Sequence, residues 1–182
     1  MAMKIKELVQ TSLIVAVIIV LGIIPPIPLG VIPVPIVMQN LGIMLAGIVL
    51  GSRKGTIAVG GFLLLAFLGF PVLSGGQAGP AVFIGPTAGY LLGWLITPLM
   101  ISYSLSRPFM SHSWGQLIGI WVPGVLIVNV IGEVWLWMVT PISLVGALGS
   151  GLLFIPGDTI KAVAVYLVAV RMKMLNRVVS QD

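Results

Sequence analysis

Phe154-Ile155-Pro156-Gly157-Asp158-Thr159-Ile160-Lys161-Ala162 places a carboxylate and an ammonium inside an apolar run that reaches Val170. In a lipid-spanning segment each such group costs roughly 2.5–3.5 kcal/mol on insertion scales. Ionisable residues kept there face protein or a water-filled cavity and mark a functional site by default. A spacing of three residues sets Asp158 and Lys161 on one helix face, within reach of each other or of one shared ligand. Pro156 has no N–H to donate and Gly157 loosens the backbone, so the helix is expected to be interrupted here, by a kink or a new start. Two readings stay open: a ligand pocket, or an ion pair that neutralises itself with no cavity beside it.

The rest of the chain sets this segment in a membrane. Of 182 residues 59% are apolar and 7% charged, whereas soluble domains carry about 25% charge. Mean hydropathy is +1.21. The length holds about five to seven spans of about 20 residues with short loops. The expected fold is an all-α integral membrane protein of six transmembrane helices, a single membrane domain over residues 1–182. The spans are read at about 8–24, 36–50, 55–70, 81–105, 115–139 and 144–175. Pro25–Pro35 and Pro71–Ala81 form uncharged loops between spans, and a cleavable signal is not expected. Lys4, Lys6, Arg53, Lys54, Arg107, Arg171, Lys173 and Arg177 fall at span ends on one side, and the opposite loops hold no Lys or Arg. The positive-inside rule then puts both termini in the cytoplasm. The formal charge of +5 follows this topology and forms no aromatic-interleaved patch, which argues against nucleic acid as a partner.

Other residues qualify as candidates. Glu133 shares a helix face with Asn129 and is placed to meet substrate, to pair with Lys161, or to lie near water. Gln39 and Asn40 open the second span, where amides suit a polar ligand or helix capping equally. Tyr90 and Thr87 follow Gly85-Pro86; Tyr90 suits a ligand contact or an interfacial belt. Trp94, Trp114, Trp121, Trp135 and Trp137 read as belt or packing residues, and His112 as a solvated loop residue. Gly85, Gly89 and Gly93 stack on one face and admit a neighbouring helix closely.

The chain has no cysteine and one histidine, so thiol chemistry and a histidine metal cluster are excluded. There is no nucleophile elbow and no phosphate-binding P-loop, so an enzyme or an ATP hydrolase is not expected. No cofactor is expected either, and ATP would be bound only by partner subunits. A pore lacks charged rings or a filter repeat.

The segments Gly85-Pro86-Thr87-Ala88-Gly89-Tyr90-Leu91-Leu92-Gly93 and Phe154 through Ala162, with Pro35 through Gln39 before them, resemble the signatures of the BioY family. These are the biotin-specific S-components of energy-coupling-factor (ECF) transporters. The resemblance covers nearly the whole chain. It implies a subunit of the bacterial plasma membrane that captures biotin from outside in a pocket near the outer face. The loops Pro25–Pro35 and Pro71–Ala81 would lid that pocket. A transmembrane coupling subunit and two cytoplasmic ATPases would be the partners. In that frame Asp158 accepts from the ureido N–H groups and Lys161 donates to the ureido oxygen or the carboxylate. Gln39 and Tyr90 are further ligand contacts. The family's Ala-x-x-x-Ala docking face on the first helix is matched here by Ser12-x-x-x-Ala16. The alternatives are an S-component for another vitamin, a structural membrane protein without a ligand, and an intramembrane enzyme.

Overall fold

The computed structural model describes residues 5–30, 32–107 and 112–172; Lys4, Lys173 and Arg177, used in the orientation argument, lie outside them. All regular structure among these residues is helical. The helices are α1 (Ile5–Ile23), α2 (Gln39–Phe67), α3 (Ala88–Leu105), α4 (Ser113–Trp121), α5 (Val128–Val139) and α6 (Leu144–Arg171). A wide π-type turn, Val122–Ile127, joins α4 to α5. Among the described residues, five helical runs are long and apolar enough to cross a bilayer, α4 through α5 counting as one.

Most of these boundaries follow from local chemistry. Pro25-Pro26 ends α1, because the residue before a proline is pushed out of the helical region. The Ser143 hydroxyl accepts from the Gly146 N–H at 3.1 Å and caps the start of α6. Within α2, Gly51 adopts φ 77°, ψ −172°, a conformation essentially reserved to glycine. A Cβ built on Gly55 would lie 2.8 Å from the Ala46 carbonyl oxygen. Nine residues of straight helix would separate those two by about 13.5 Å. The chain therefore turns back sharply at Gly51, and the arms 39–50 and 52–67 meet beside it. The reversal sits on one glycine rather than on a loop around Arg53-Lys54.

Two further expectations are corrected. Helix α6 runs unbroken through Pro156, although proline removes the hydrogen bond to the Leu152 carbonyl. Packing of Phe154, Asp158, Lys161 and Ala162 against the bundle holds the helix on either side. The fourth span is shorter than 81–105, because 80–83 is a separate 3-10 turn and α3 begins at Ala88. The fifth span contains the π-type turn, at Pro123. A proline ring crowds the carbonyl four residues back, and the widened turn relieves this.

Helix α2 packs on α1 and α3, α3 also on α5, and α5 on α6. Small residues set the close approaches. A Cβ on Gly93 would lie 3.1 Å from Val128 Cα, and one on Gly89 would strike the Trp135 side chain. Gly89 and Gly93 thus admit α5, as the glycine stripe implies. Gly85 lies outside the helix, and its carbonyl accepts from Trp135 Nε1 at 2.9 Å. One apolar cluster gathers α1, α2, α3 and loop residues such as Val34 and Leu73 around Phe62 and Trp94. A second joins Met44, Ile101 and Ile120 to Val165. Leu152, Ile160 and Leu167 are exposed apolar residues on the outward side of α6, as a lipid-facing surface requires.

The bundle has two distinct ends. At one, Lys54 Nζ pairs with Glu7 at 2.9 Å, joining the start of α1 to the residues just after Gly51. At the other, α1 ends against the start of α2 and the loops 24–38 and 68–87. The first loop is clipped by two backbone hydrogen bonds between Ile27 and Ile36, each 2.9 Å.

Candidate functional site

A cavity of about 650 Å³, counting its open mouth, lies at this second end. Its walls come from the residues before α2 (Val34 to Val37), the loop around Leu73, Ser74 and Gln77, the first turns of α3, and the facing sides of α5 and α6. Trp94, Leu91, Val128 and Phe154 make it mainly apolar. Its polar groups are few and come from separate elements. This is the usual composition of a small-molecule site, in which sparse polar groups orient a ligand held by apolar contact.

Asp158 opens onto the cavity and is 7% exposed. Its Oδ1 accepts from Lys161 Nζ at 2.7 Å, and its Oδ2 accepts from Asn129 Nδ2 at a long 3.4 Å. Oδ2 is therefore the oxygen with capacity to spare. Lys161 does not line the cavity. Its ammonium stands behind Asp158 and also donates to the Val37 carbonyl at 2.8 Å. Of the two readings the three-residue spacing left open, the ion pair is present, and the cavity beside it rules out the closed pair expected of a ligand-free structural protein. The geometry gives Lys161 a supporting place: it neutralises Asp158 and ties the residues before α2 to α6.

Tyr90 lines the cavity through a buried side chain whose hydroxyl has no hydrogen-bond partner. Its ring stands 5.6 Å from that of Phe154. A Cβ on Gly132 would land on the Tyr90 ring, so Gly132 provides the room the tyrosine needs. Thr87, just before α3, also borders the cavity. Of the tryptophans, Trp94 lines it, while Trp121 donates to Thr159 Oγ1 at 2.8 Å inside the bundle.

Gln39 touches the cavity but its amide is nearly spent. Nε2 donates to the Ile18 carbonyl at 3.2 Å and the Val72 carbonyl at 2.9 Å, and Oε1 accepts from the Ser74 N–H at 2.9 Å. Both amide hydrogens are used. Gln39 thus clamps α1 and the 72–74 loop to the start of α2 while bordering the cavity. Its neighbour Asn40 is the less committed amide. Asn40 Nδ2 donates to the Gly124 carbonyl at 3.0 Å, and its buried Oδ1 has no partner. Asn40 was readable as a candidate beside Gln39, but adjacency alone did not favour it. Asn129 and Gln77 also line the cavity; their amide chemistry was visible in the sequence and their placement was not.

Glu133 does not line the cavity. It is buried, and a Cβ on Gly151 would collide with its carboxyl group, so Glu133 occupies space left by that glycine of α6. Lys161 pairs with Asp158 and not with Glu133. Ser12 and Ala16 are both exposed on one face of α1. Among the described residues no cluster of His, Cys, Asp or Glu could hold a metal ion.

Comparison with known proteins agrees with this architecture. The family model described as the BioY family matches residues 1–177. The biotin transporter BioY of Lactococcus lactis subsp. cremoris (strain MG1363) is 46% identical over 173 residues, covering 93% of this chain and 92% of that protein. The biotin transporter BioY of Rhizobium etli is 43% identical over 168 residues, covering 88% and 89%. A crystal structure at 2.1 Å, of the S-component for biotin from an ECF-type ABC transporter, superposes with a TM-score of 0.90. It is 44% identical and covers 94% of this chain and 95% of that one. The chain belongs to the BioY family.

Proposed function

We propose that this chain is the substrate-capture subunit of an ECF-type importer and that its ligand is biotin. The observation that carries the reading is the mainly apolar cavity lined by Asp158, Asn40 and Tyr90, the last two each carrying a buried oxygen without a hydrogen-bond partner. Biotin presents a complementary set: two ureido N–H donors, one ureido carbonyl, an apolar thioether ring and a carboxylate tail. Asp158 Oδ2 accepts a ureido N–H, and the Tyr90 hydroxyl donates to the ureido oxygen. Trp94, Leu91 and Phe154 pack the thioether ring, and the tail points to the mouth, past Thr87 and Gln77. Gln39 and Lys161 hold the walls. Polar groups buried to match a ligand discriminate strongly against analogues that lack its pattern.

The reading includes an orientation. It takes the reversal at Gly51 as dividing α2 into two crossings, six in all, in one domain with both termini on the same side. Lys6, Arg107 and Arg171 at or just past helix ends, with Arg53 and Lys54 beside the Gly51 reversal, support placing that side in the cytoplasm. The cavity lies at the opposite end from the Glu7–Lys54 pair and so faces the exterior. The protein carries out no reaction and needs no cofactor of its own. ATP is hydrolysed by two cytoplasmic ATPase subunits that act through a transmembrane coupling subunit. The exposed Ser12/Ala16 face of α1, in the plane of the plasma membrane, is where that coupling subunit docks.

The test is calorimetric titration of biotin into the purified chain in detergent, beside Asp158→Asn. The expected result is tight binding that the variant loses while it remains folded. Folded wild-type protein that ignores biotin overturns the assignment, and a panel of other vitamins becomes the next titration.

A further inference from the structure

The wide turn Val122–Ile127 presents two backbone carbonyls to amides from the cavity wall. Gly124 O accepts from Asn40 Nδ2 at 3.0 Å, and Val125 O accepts from Asn129 Nδ2 at 2.9 Å. A carbonyl can only accept, so each amide must turn its nitrogen to the turn. For Asn40, this leaves Oδ1 as the free end. It is an acceptor on a side chain 3% exposed, it has no partner, and it belongs to a cavity-lining residue. A buried unpaired acceptor costs about as much as a lost hydrogen bond, and a native structure keeps few without a use. Asn129 Nδ2 reaches Asp158 Oδ2 only at 3.4 Å, leaving that carboxylate oxygen as the second acceptor.

From this arrangement we infer that Asn40, with its amide orientation set by the π-type turn, is a specificity-determining residue that reads one ureido N–H of the ligand while Asp158 reads the other. The inference rests on the biotin reading above and adds to it the residue that distinguishes a two-donor cyclic urea from a one-donor ring. Helix α4–α5 thereby has a part in recognition: the turn at Pro123 aims an amide carried by α2. Gln39 cannot take this part, because both its amide hydrogens and its Oε1 are committed to the loop and α1.

The experiment titrates three probes into the purified chain in detergent: biotin and the two cyclic carbamates in which one or the other ureido N–H is replaced by a ring oxygen. Wild-type protein should bind each carbamate about 10- to 100-fold more weakly than biotin, because each leaves one buried acceptor facing an oxygen. In Asn40→Leu the penalty for one carbamate should vanish while the penalty for the other persists. A role confined to packing would weaken all three probes together and leave their ratios unchanged, and that result overturns the inference. Should Asn40→Leu fail to fold, the wild-type profile decides: a carbamate bound as tightly as biotin overturns it, and losses for both sustain it. Folded wild-type protein that binds no biotin removes the proposed function and this assignment together. Biotin binding with unchanged ratios in Asn40→Leu removes this assignment alone.

Discussion

Lys161→Met separates support of the site from contact with the ligand. In the native protein the Lys161 ammonium lies 2.7 Å from Asp158 Oδ1 and 2.8 Å from the Val37 carbonyl, with its side chain 5% exposed. Methionine keeps a similar length and apolar stem but removes the charge. Asp158 is then a buried carboxylate whose remaining hydrogen bond is the 3.4 Å contact from Asn129. Breaking a buried pair in this way costs about 3–5 kcal/mol, whereas replacing both partners with neutral groups is often nearly neutral. The double variant Asp158→Asn/Lys161→Met should therefore recover most of the loss, with a coupling energy of about 2–4 kcal/mol. For a soluble chain of this size the single loss would lower Tm by roughly 6–20 °C, which sets the scale to look for in detergent. The assay is thermal unfolding of the four proteins of the cycle, each then titrated with biotin. Stability should return in the double variant and biotin affinity should not, because the ligand-facing carboxylate is still missing. Strictly additive effects on Tm would refute the buried pair. A stable double variant that binds biotin like wild type would refute Asp158 as a ligand contact.

Other perturbations test the remaining elements. Gly51→Ala should destabilise the protein by about 1–3 kcal/mol, because its backbone conformation disfavours any side chain; Gly61→Ala in the same helix, which meets open space, should be neutral or slightly stabilising in the same unfolding assay. Gly132→Ala should displace the Tyr90 ring and lower biotin affinity by about tenfold or more, since even one lost hydrogen bond costs about 1 kcal/mol and the ring must also shift. Gly149→Ala, with nothing near its added methyl, is the matching control in that titration. Ser12→Leu/Ala16→Leu should leave biotin binding by the isolated chain unchanged and reduce co-purification with the coupling subunit; normal complex yield would remove α1 as the docking face.

The membrane class, the ion pair and the glycine stripe were legible in the sequence because each follows from a local rule. Charges are scarce in apolar runs, residues three apart share a helix face, and glycines four apart stack. Asp158 stands out for this reason, and the structure places it on the cavity wall. Gln39 and Asn40 show where such reasoning stops. Two adjacent amides at one helix start look alike in sequence, yet their side chains leave the helix about 100° apart. Only packing turns one into a clamp on Ile18, Val72 and Ser74 and leaves the other with an unpaired oxygen. Glu133 and Lys161 followed the same pattern: both are buried, and neither lines the cavity.

Proline and glycine divided in the same way. Pro25-Pro26 ends a helix as its covalent geometry demands. Pro156 does not, because the bundle around Phe154 and Ala162 outweighs one missing hydrogen bond, and Pro123 widens its helix into the turn that orients Asn40 and Asn129. By itself the sequence determined that this chain is a helical membrane protein with Asp158 and Lys161 on one helix face inside an apolar run, because burial cost and helical periodicity act within a few residues. The tertiary structure alone decided which polar residues line one cavity and which of their atoms remain unpaired, because hydrogen-bond satisfaction is settled between α2, the π-type turn, α5 and α6, segments far apart in the chain.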